Sequence, residues 1–270
     1  MLSAIVTLGA AGLVFGGFLA LAAQKFKVEE DPKVAEILEV LPGANCGACG
    51  FPGCAGLASA IVKGEAPCNA CIPGGDAVAD KIASIMGVVC EGVEPMVAVV
   101  CCQGDDDRAE LVAQYHGVMD CHAANQLGGS KGCPYGCLGL GSCVRACPFD
   151  AMYMSPEGLP VVIKEKCTGC GACVRACPRG IIDLAPCDKH VHILCSSYDK
   201  GPQVRKYCRV GCIACRICVR SCPQEAISMD RDTLAKIDYS ICDNCGVCVA
   251  KCPMKTIVDT RLPEAEKQVS

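Results

Sequence analysis

Aromatic side chains are scarce in this chain of 270 residues, since tryptophan is absent and all aromatics together make up 4%. A conventional apolar core for each of two or three small domains is therefore hard to build. Proteins that bind single-stranded nucleic acid stack bases on aromatic rings beside basic side chains. The chain has no basic run with interleaved aromatics, so we expect no nucleic acid as a partner.

Catalytic sequence motifs are also absent. The chain has no Walker loop, no dinucleotide-binding G-x-G-x-x-G after a predicted strand and no nucleophile elbow. The short Gly-Leu-Gly run at residues 139–141 lies inside a cysteine loop, so it is not a dinucleotide-binding motif. We therefore expect no substrate-binding catalytic site in the chain itself.

Cysteine, in contrast, accounts for 28 residues, and many of these repeat. Eight cysteines recur further along the chain with identical spacing, and the prolines after two of them recur as well. The first copy is Cys133, Cys137, Cys143, Cys147, Cys167, Cys170, Cys173 and Cys177, and the second is Cys208, Cys212, Cys218, Cys222, Cys242, Cys245, Cys248 and Cys252. Such regularity indicates a duplicated structural unit. The run C-x2-C-x2-C-x3-C-P is typical of sites that hold [4Fe-4S] clusters.

Two other uses of cysteine fit the spacing less well. A secreted disulfide scaffold does not require three thiols, two residues apart, to converge on one point. Structural zinc sites are usually paired C-x2-C knuckles, whereas triplets with a fourth Cys-Pro recur here. Cluster-binding thiolates imply a reducing compartment, where free thiols survive.

Three ligand sets follow from the rule for two-cluster ferredoxins. The first three cysteines of a motif bind one cluster, and the fourth, before proline, binds the other. The predicted sets are Cys147, Cys167, Cys170 and Cys173; Cys212, Cys215, Cys218 and Cys252; and Cys222, Cys242, Cys245 and Cys248.

The fourth set of the repeats is irregular, because Leu140 occupies the position of the middle cysteine. We predict that Cys133, four residues upstream of the motif, replaces it. The predicted set is Cys133, Cys137, Cys143 and Cys177. Cys208, the repeat mate of Cys133, is then either surplus or a ligand in place of Cys215, and the spacing leaves this open.

A further set precedes the repeats. It consists of Cys46, Cys49 and Cys54 within a run of small residues, followed by Cys71. Cys68 competes with Cys71 for the fourth position, and we favour Cys71. This set brings the expected number of [4Fe-4S] clusters to five.

The cysteines outside the five sets have two interpretations. They are Cys68, Cys90, Cys101, Cys102, Cys121, Cys187, Cys195 and Cys208. Each could be a buried apolar side chain with a weak S–H donor. The alternative is a sixth cluster, built from Cys90, Cys102, Cys121 and one neighbour, and the sequence leaves both interpretations open.

The stretch at residues 2–23 carries no charge and is long enough to cross a bilayer as a helix. Lys25 and Lys27 follow, so the positive-inside rule predicts that the cysteine-rich part faces the cytoplasm. A cleavable signal peptide is the alternative, but the stretch lacks a basic n-region and exceeds a normal h-region. We expect a single-pass anchor in the cell (inner) membrane, in contact with the lipid bilayer through residues 2–23.

Charge is unevenly distributed along the chain. Residues 24–130 carry 6 Lys and Arg against 15 Asp and Glu, whereas residues 131–257 carry 17 against 11. Basic surfaces attract acidic partners. A small acidic electron carrier therefore fits the repeat half, with Arg175, Arg179 and Arg216 as candidate docking charges.

The predicted fold class is α+β: a single N-terminal transmembrane helix, a small helical 4Fe-4S module, and two tandem two-cluster ferredoxin-like units of the βαββαβ type. The predicted boundaries are 1–24 for the anchor, 28–90 for the module, 91–130 for a connecting segment, 131–186 for unit 1, 187–206 for a linker, 207–258 for unit 2 and 259–270 for a tail.

Three of these features together resemble the B subunit of the Rnf complex, the membrane-bound ferredoxin:NAD oxidoreductase. They are the N-terminal anchor, the run N-C-G-A-C-G-F-P-G-C at residues 45–54 with Cys71, and the downstream repeats, including residues 136–143. The resemblance covers nearly the whole chain. Because it has two ferredoxin units, the chain resembles the longer form of this subunit, which is found in anaerobes such as clostridia and acetogens.

The resemblance implies a function. Reduced ferredoxin would deliver electrons to this subunit, and other membrane and peripheral subunits would pass them to NAD while Na⁺ or H⁺ is moved across the membrane. The family's cluster ligands correspond to Cys46, Cys49, Cys54 and Cys71 and to the ferredoxin sets above. Alternatives are an electron-transfer subunit of a soluble oxidoreductase, a related complex that reduces a redox-sensing regulator, and a non-redox metal-binding scaffold.

Overall fold

The computed structural model describes residues 2–25, 31–92 and 94–262, with side chains in the first helix described from residue 9 to residue 22. The helices are α1 (Leu2–Lys25), α2 (Pro32–Val40), α3 (Gly53–Val62), α4 (Gly75–Met86), α5 (Cys121–Gln126), α6 (Ser142–Arg145), α7 (Ala172–Ala176), α8 (Gly201–Tyr207), α9 (Ile217–Ser221) and α10 (Val247–Lys251). The strands are β1 (Met96–Val100), β2 (Met152–Met154), β3 (Pro160–Val162), β4 (Ile182–Pro186), β5 (Val191–Ile193), β6 (Ile227–Asp230), β7 (Leu234–Ile237) and β8 (Ile257–Asp259).

Helices α2, α3 and α4 form a small module around a core of their own. Asp31 begins α2 as its N-cap, since its carboxylate accepts a hydrogen bond of 2.9 Å from the Lys33 amide. Ile37, Leu57 and Ile82 are at most 1% exposed and form the centre of the core. The cysteine loop at residues 45–54 leads directly into α3, so this core positions it.

The two ferredoxin-like units each have the element order β-α-β-β-α-β. In the first unit this order is β1, α6, β2, β3, α7 and β4, and in the second it is β5, α9, β6, β7, α10 and β8. Helices α5 and α8 are inserted after the first strand of each unit. Strands β2 and β3, and likewise β6 and β7, form antiparallel hairpins.

The first and last strands of each unit also pair antiparallel. Val100 of β1 lies opposite Ile182 of β4, and Ile193 of β5 lies opposite Ile257 of β8. Strand β1 comes from the predicted connecting segment at 91–130, and β5 comes from the predicted linker at 187–206. Both segments thus contribute a strand to the unit that follows them.

The cores of the two units consist partly of cysteine. Cys143 and Cys173 pack with Ile181 in the first unit, and Cys218 and Cys248 occupy the core of the second. Aliphatic side chains, such as Ile182 in the first unit and Ile257 in the second, complete these cores beside the thiols. The stability of these units therefore depends on what the thiols bind.

The N-terminal helix α1 exposes its apolar side chains from residue 9 to residue 21. Leu13 is 80% exposed and Phe18 68%. Across the residues that the structure describes, we find no helix with both the length and the apolar character needed to cross a membrane. Some side chains of the predicted anchor at residues 2–23 lie outside the described residues, and so do Lys27 and the predicted tail from residue 263 onward.

Candidate metal centres

The N-terminal module brings four predicted thiols together. Cys71 is 7% exposed. Burial raises the pKa of the Cys71 thiol, and Cys54, Cys46 and Cys49 raise it further, so these three thiols lie near Cys71. Cys68, the competing candidate, instead forms a disulfide with Cys90.

The loop that carries these thiols has a specific shape. Asn45 has a positive φ of 47°, and its side-chain oxygen accepts a hydrogen bond of 2.8 Å from the Cys54 amide. A Cβ atom on Gly53 would lie 2.8 Å from the same oxygen, so the loop requires glycine there. This turn presents Cys46, Cys49 and Cys54 towards Cys71.

Three cavities in the ferredoxin units are each lined by one predicted set of cysteines. The spaces between the side chains, including the part open to solvent, are about 300, 390 and 310 Å³. Their thiols are Cys147, Cys167, Cys170 and Cys173; Cys212, Cys215, Cys218 and Cys252; and Cys222, Cys242, Cys245 and Cys248. The rest of each lining is mostly apolar. The structure thus groups these thiols as the spacing predicts.

A fourth cavity, of about 360 Å³, differs from the prediction in one member. Its thiols are Cys121, Cys137, Cys143 and Cys177. Burial raises the pKa of Cys143 to about 11, with further contributions from Cys121 and Cys177. Cys133, predicted for this set, is absent from the lining, and Cys121 on α5 takes its place.

Hydrogen bonds fix Cys121 in this position. Asp120 is the N-cap of α5 and accepts from the His122 amide at 2.9 Å. The Ser142 hydroxyl donates to Asp120 at 2.9 Å and accepts from the Cys121 amide at 2.9 Å. Because Ser142 opens α6 beside Cys143, this network ties Cys121 to the cysteine loop.

A fifth cavity is lined by thiols that the sequence does not group. They are Cys102, Cys133, Cys195 and Cys208. The sixth cluster considered from the sequence, with Cys90, Cys102 and Cys121 as ligands, does not form in this structure, because the three cysteines lie in different places. Cys90 is in the disulfide with Cys68, Cys121 lines the fourth cavity and Cys102 lines the fifth.

The donors present fit iron–sulfur clusters. Each of the cavities described above is lined by four soft thiol ligands, the donor type that such clusters use. Backbone amides already point at several sulfurs, with the Ala98 nitrogen 3.4 Å from Cys167 Sγ and the Ala151 nitrogen 3.4 Å from Cys147 Sγ. Such hydrogen bonds tune a cluster's reduction potential. Within the described ranges, no group of three or more His, Cys, Asp or Glu side chains is arranged for a single metal ion.

The three arginines predicted as docking charges already have partners. Arg175 donates to the Cys46 carbonyl at 2.9 Å and to the Cys170 carbonyl at 3.3 Å. Arg179 donates to the Gly128 carbonyl at 2.8 Å, and Arg216 is 2.8 Å from Asp232. Arg175 thus joins the N-terminal cysteine loop to a loop of the first ferredoxin unit.

Comparison with known protein families assigns three regions of the chain. Residues 41–73 match the family described as putative Fe-S cluster. Residues 134–184 and 211–256 each match a family described as 4Fe-4S dicluster domain. The chain therefore carries multiple [4Fe-4S] clusters.

Several relatives are similar over most of their length. The B subunit of a Na(+)-translocating ferredoxin:NAD(+) oxidoreductase complex from Acetobacterium woodii is 48% identical, over 90% of this chain and 74% of its own. The B subunit of a proton-translocating ferredoxin:NAD(+) oxidoreductase complex from Clostridium ljungdahlii is 48% identical, over 88% and 84%. The B subunit of an ion-translocating oxidoreductase complex from Methanosarcina acetivorans is 45% identical, over 90% and 92%.

Proposed function

The chain belongs to the B subunits of ion-translocating ferredoxin:NAD(+) oxidoreductase (Rnf) complexes, and from this we infer that it is the iron–sulfur electron-transfer subunit of such a complex. It accepts electrons from reduced ferredoxin and passes them towards NAD reduction by other subunits, coupled to translocation of Na⁺ or H⁺. The observation that carries this inference is the series of cavities lined by four thiols. When bound there, a [4Fe-4S] cluster supplies a one-electron redox couple.

Five ligand sets are proposed. Support comes from the cavity linings and, for the first set, from the mutual effects on the pKa of Cys71. The sets are Cys46, Cys49, Cys54 and Cys71; Cys121, Cys137, Cys143 and Cys177; Cys147, Cys167, Cys170 and Cys173; Cys212, Cys215, Cys218 and Cys252; and Cys222, Cys242, Cys245 and Cys248.

Contacts between neighbouring sets support an ordered path. Arg175 links the loops of Cys46 and Cys170, which belong to the first and third sets. In the first unit, Cys143 and Cys173 are buried in the same core, and Cys143 raises the pKa of Cys173, so the second and third sets are neighbours. In the second unit, Cys218 and Cys248 share a core, and Cys218 raises the pKa of Cys248. Within the described residues, we find no such link between a set of the first ferredoxin unit and a set of the second.

Reduced ferredoxin is expected to transfer electrons to the anaerobically purified chain. Mixing the two should reduce the clusters of the chain, at a rate that falls as salt is added, because the repeat half is basic and ferredoxin is expected to be acidic. The chain is labelled with the Mössbauer-active isotope of iron and the ferredoxin is not, so freeze-quenched Mössbauer spectra follow the clusters of the chain alone. The labelled chain mixed with oxidised ferredoxin is the control, and labelled clusters that stay oxidised at low salt would refute the proposed function.

The membrane anchor is proposed for residues 2–23. Its support is the length of this uncharged stretch and the exposure of Leu13, Phe15 and Phe18, which leaves a large apolar surface without a partner in the described residues. The cysteine-rich part would then face the cytoplasm, where thiols stay reduced.

Charged substitutions in α1 are expected to release the chain from membranes. Replacing Phe15 and Phe18 by Asp should do so when the chain is produced alone, because each Asp costs about 3 kcal/mol at the centre of a membrane helix. The matched control replaces both by Leu and should remain membrane-bound after a high-salt wash. Fractionation and immunoblotting measure the distribution. Equal retention of the Asp and Leu variants would contradict the anchor.

A further inference from the structure

The two ferredoxin units contribute equivalent cysteines to one cavity. Cys133 and Cys208 are repeat mates, because each is the first cysteine of its copy of the repeated pattern. Cys102 and Cys195 are also equivalent, although they lie further apart along the chain than repeat mates do. Each lies two residues beyond the first strand of its unit, after Val100 in β1 and after Ile193 in β5.

Strand pairing establishes this second equivalence. Val100 lies opposite Ile182, and Ile193 lies opposite Ile257. Ile182 and Ile257 are themselves repeat mates, since each follows the last cysteine of its copy by the same number of positions. The residues opposite them must therefore correspond, and so must Cys102 and Cys195, two positions further along.

The four thiols line a common space at the junction of the units. Including the part open to solvent, it measures about 390 Å³, the same as the cavity of Cys212 and its partners. Burial raises the pKa of Cys133 to about 11, and the neighbouring Cys102 and Cys208 raise it further. Cys102 also contributes to the raised pKa values of Cys195 and Cys208, so it faces all three of the others.

Backbone amides surround these sulfurs in a duplicated pattern. The Cys137 amide lies 3.5 Å from Cys102 Sγ, and the equivalent Cys212 amide lies 3.3 Å from Cys195 Sγ. A Cβ atom on Gly104 would lie 3.7 Å from the sulfurs of both Cys102 and Cys208, so glycine leaves this wall of the cavity thin. Iron–sulfur clusters bound by thiolates are typically surrounded by backbone amides that donate hydrogen bonds to the sulfurs.

We propose that Cys102, Cys133, Cys195 and Cys208 bind a further [4Fe-4S] cluster at the junction of the two ferredoxin units. This inference rests on the proposed function, because it takes the neighbouring cavities to hold clusters. Cys137 and Cys212, whose amides contact the site, belong to the adjacent sets of the first and second unit. The site thus supplies the missing link between the units, where one electron enters from one neighbour and leaves to the other.

Substitution of Cys102 by Ala is expected to remove one cluster. The full chain, purified without oxygen, should contain roughly 24 irons and as many acid-labile sulfides, and C102A roughly four fewer of each. C101A is the matched control. The Cys101 thiol is directed at the Asp183 carboxylate, 3.7 Å away, and does not line the cavity. It should keep the full content.

Two outcomes would overturn the proposal: C102A with the same iron and sulfide content as C101A, or zinc bound to the unmodified chain and lost in C102A. Electron paramagnetic resonance of the reduced chain shows whether C102A still folds, since the signals of the five other clusters should persist. A second variant, C208A, removes a ligand from the other unit and should lose the same signal. A chain without any iron would instead contradict the proposed function itself.

Discussion

Removal of iron by a chelator under reducing conditions is expected to unfold both ferredoxin units and to spare the helices of the N-terminal module. Structural metal centres couple binding to folding by about 10 kcal/mol or more, which is as large as the whole unfolding free energy of a typical domain. In the second unit, burial raises the pKa of Cys218 to about 11 and that of Cys248 to about 12. Without iron these thiols stay protonated and bind one another only weakly.

The N-terminal module provides the internal comparison. Ile37, Leu57 and Ile82 are almost completely buried there, so α2, α3 and α4 retain an apolar core when the metal is removed. Hydrogen exchange read by mass spectrometry should show lost protection in β4 and β8 and retained protection in α3. Adding iron and sulfide back should restore it. Protection of β4 and β8 that survives complete removal of iron would contradict this expectation.

Substitution of Cys121 by Ala is expected to remove the cluster proposed for the fourth cavity. The variant should lose about four irons and four sulfides. Because this cavity lies between the third set and the junction site, ferredoxin-dependent NAD reduction by the assembled complex should fall to the level of a complex that lacks this subunit. Iron and sulfide analysis and the NAD reduction rate are the measurements.

The exposed Cys187 offers a matched control, since it lines none of the cavities described above. C187A should keep both its iron content and its rate. If Cys133 were the fourth ligand here, as the spacing predicts, C121A would behave like C187A, and that result would refute the assignment of Cys121.

The sequence is most informative where ligands are close along the chain. Cys167, Cys170 and Cys173 lie in one tight loop, and a ferredoxin rule supplies the fourth thiol, so the grouping follows from spacing. Cys121 has no such signal. It lies well upstream of the cysteine loop that begins at Cys137, and it is brought to the cavity by α5 and by the hydrogen bonds of Asp120 and Ser142. No spacing rule encodes that contact.

The junction site is hidden in the sequence for a different reason. The cysteine repeat has one constant period, whereas Cys102 and Cys195, which follow β1 and β5, are separated by more than that period. The segment between the first strand and the cysteine loop is longer in the first unit than in the second. When the two units are aligned by the constant spacing of their repeated cysteines, Cys102 and Cys195 therefore do not fall at the same position. Only the pairing of β1 with β4 and of β5 with β8 reveals the equivalence. An apolar strand that ends two residues before a cysteine is the signal in the sequence that could have found it.

Native mass spectrometry of the full chain, purified without oxygen and kept in detergent, tests the central claim most directly, since that claim is that groups of four cysteines hold [4Fe-4S] clusters. The account predicts a mass that exceeds the polypeptide by six such clusters, each of four irons and four sulfides. A mass that corresponds to bound zinc, or to the bare polypeptide with its cysteines joined in disulfides, would contradict it.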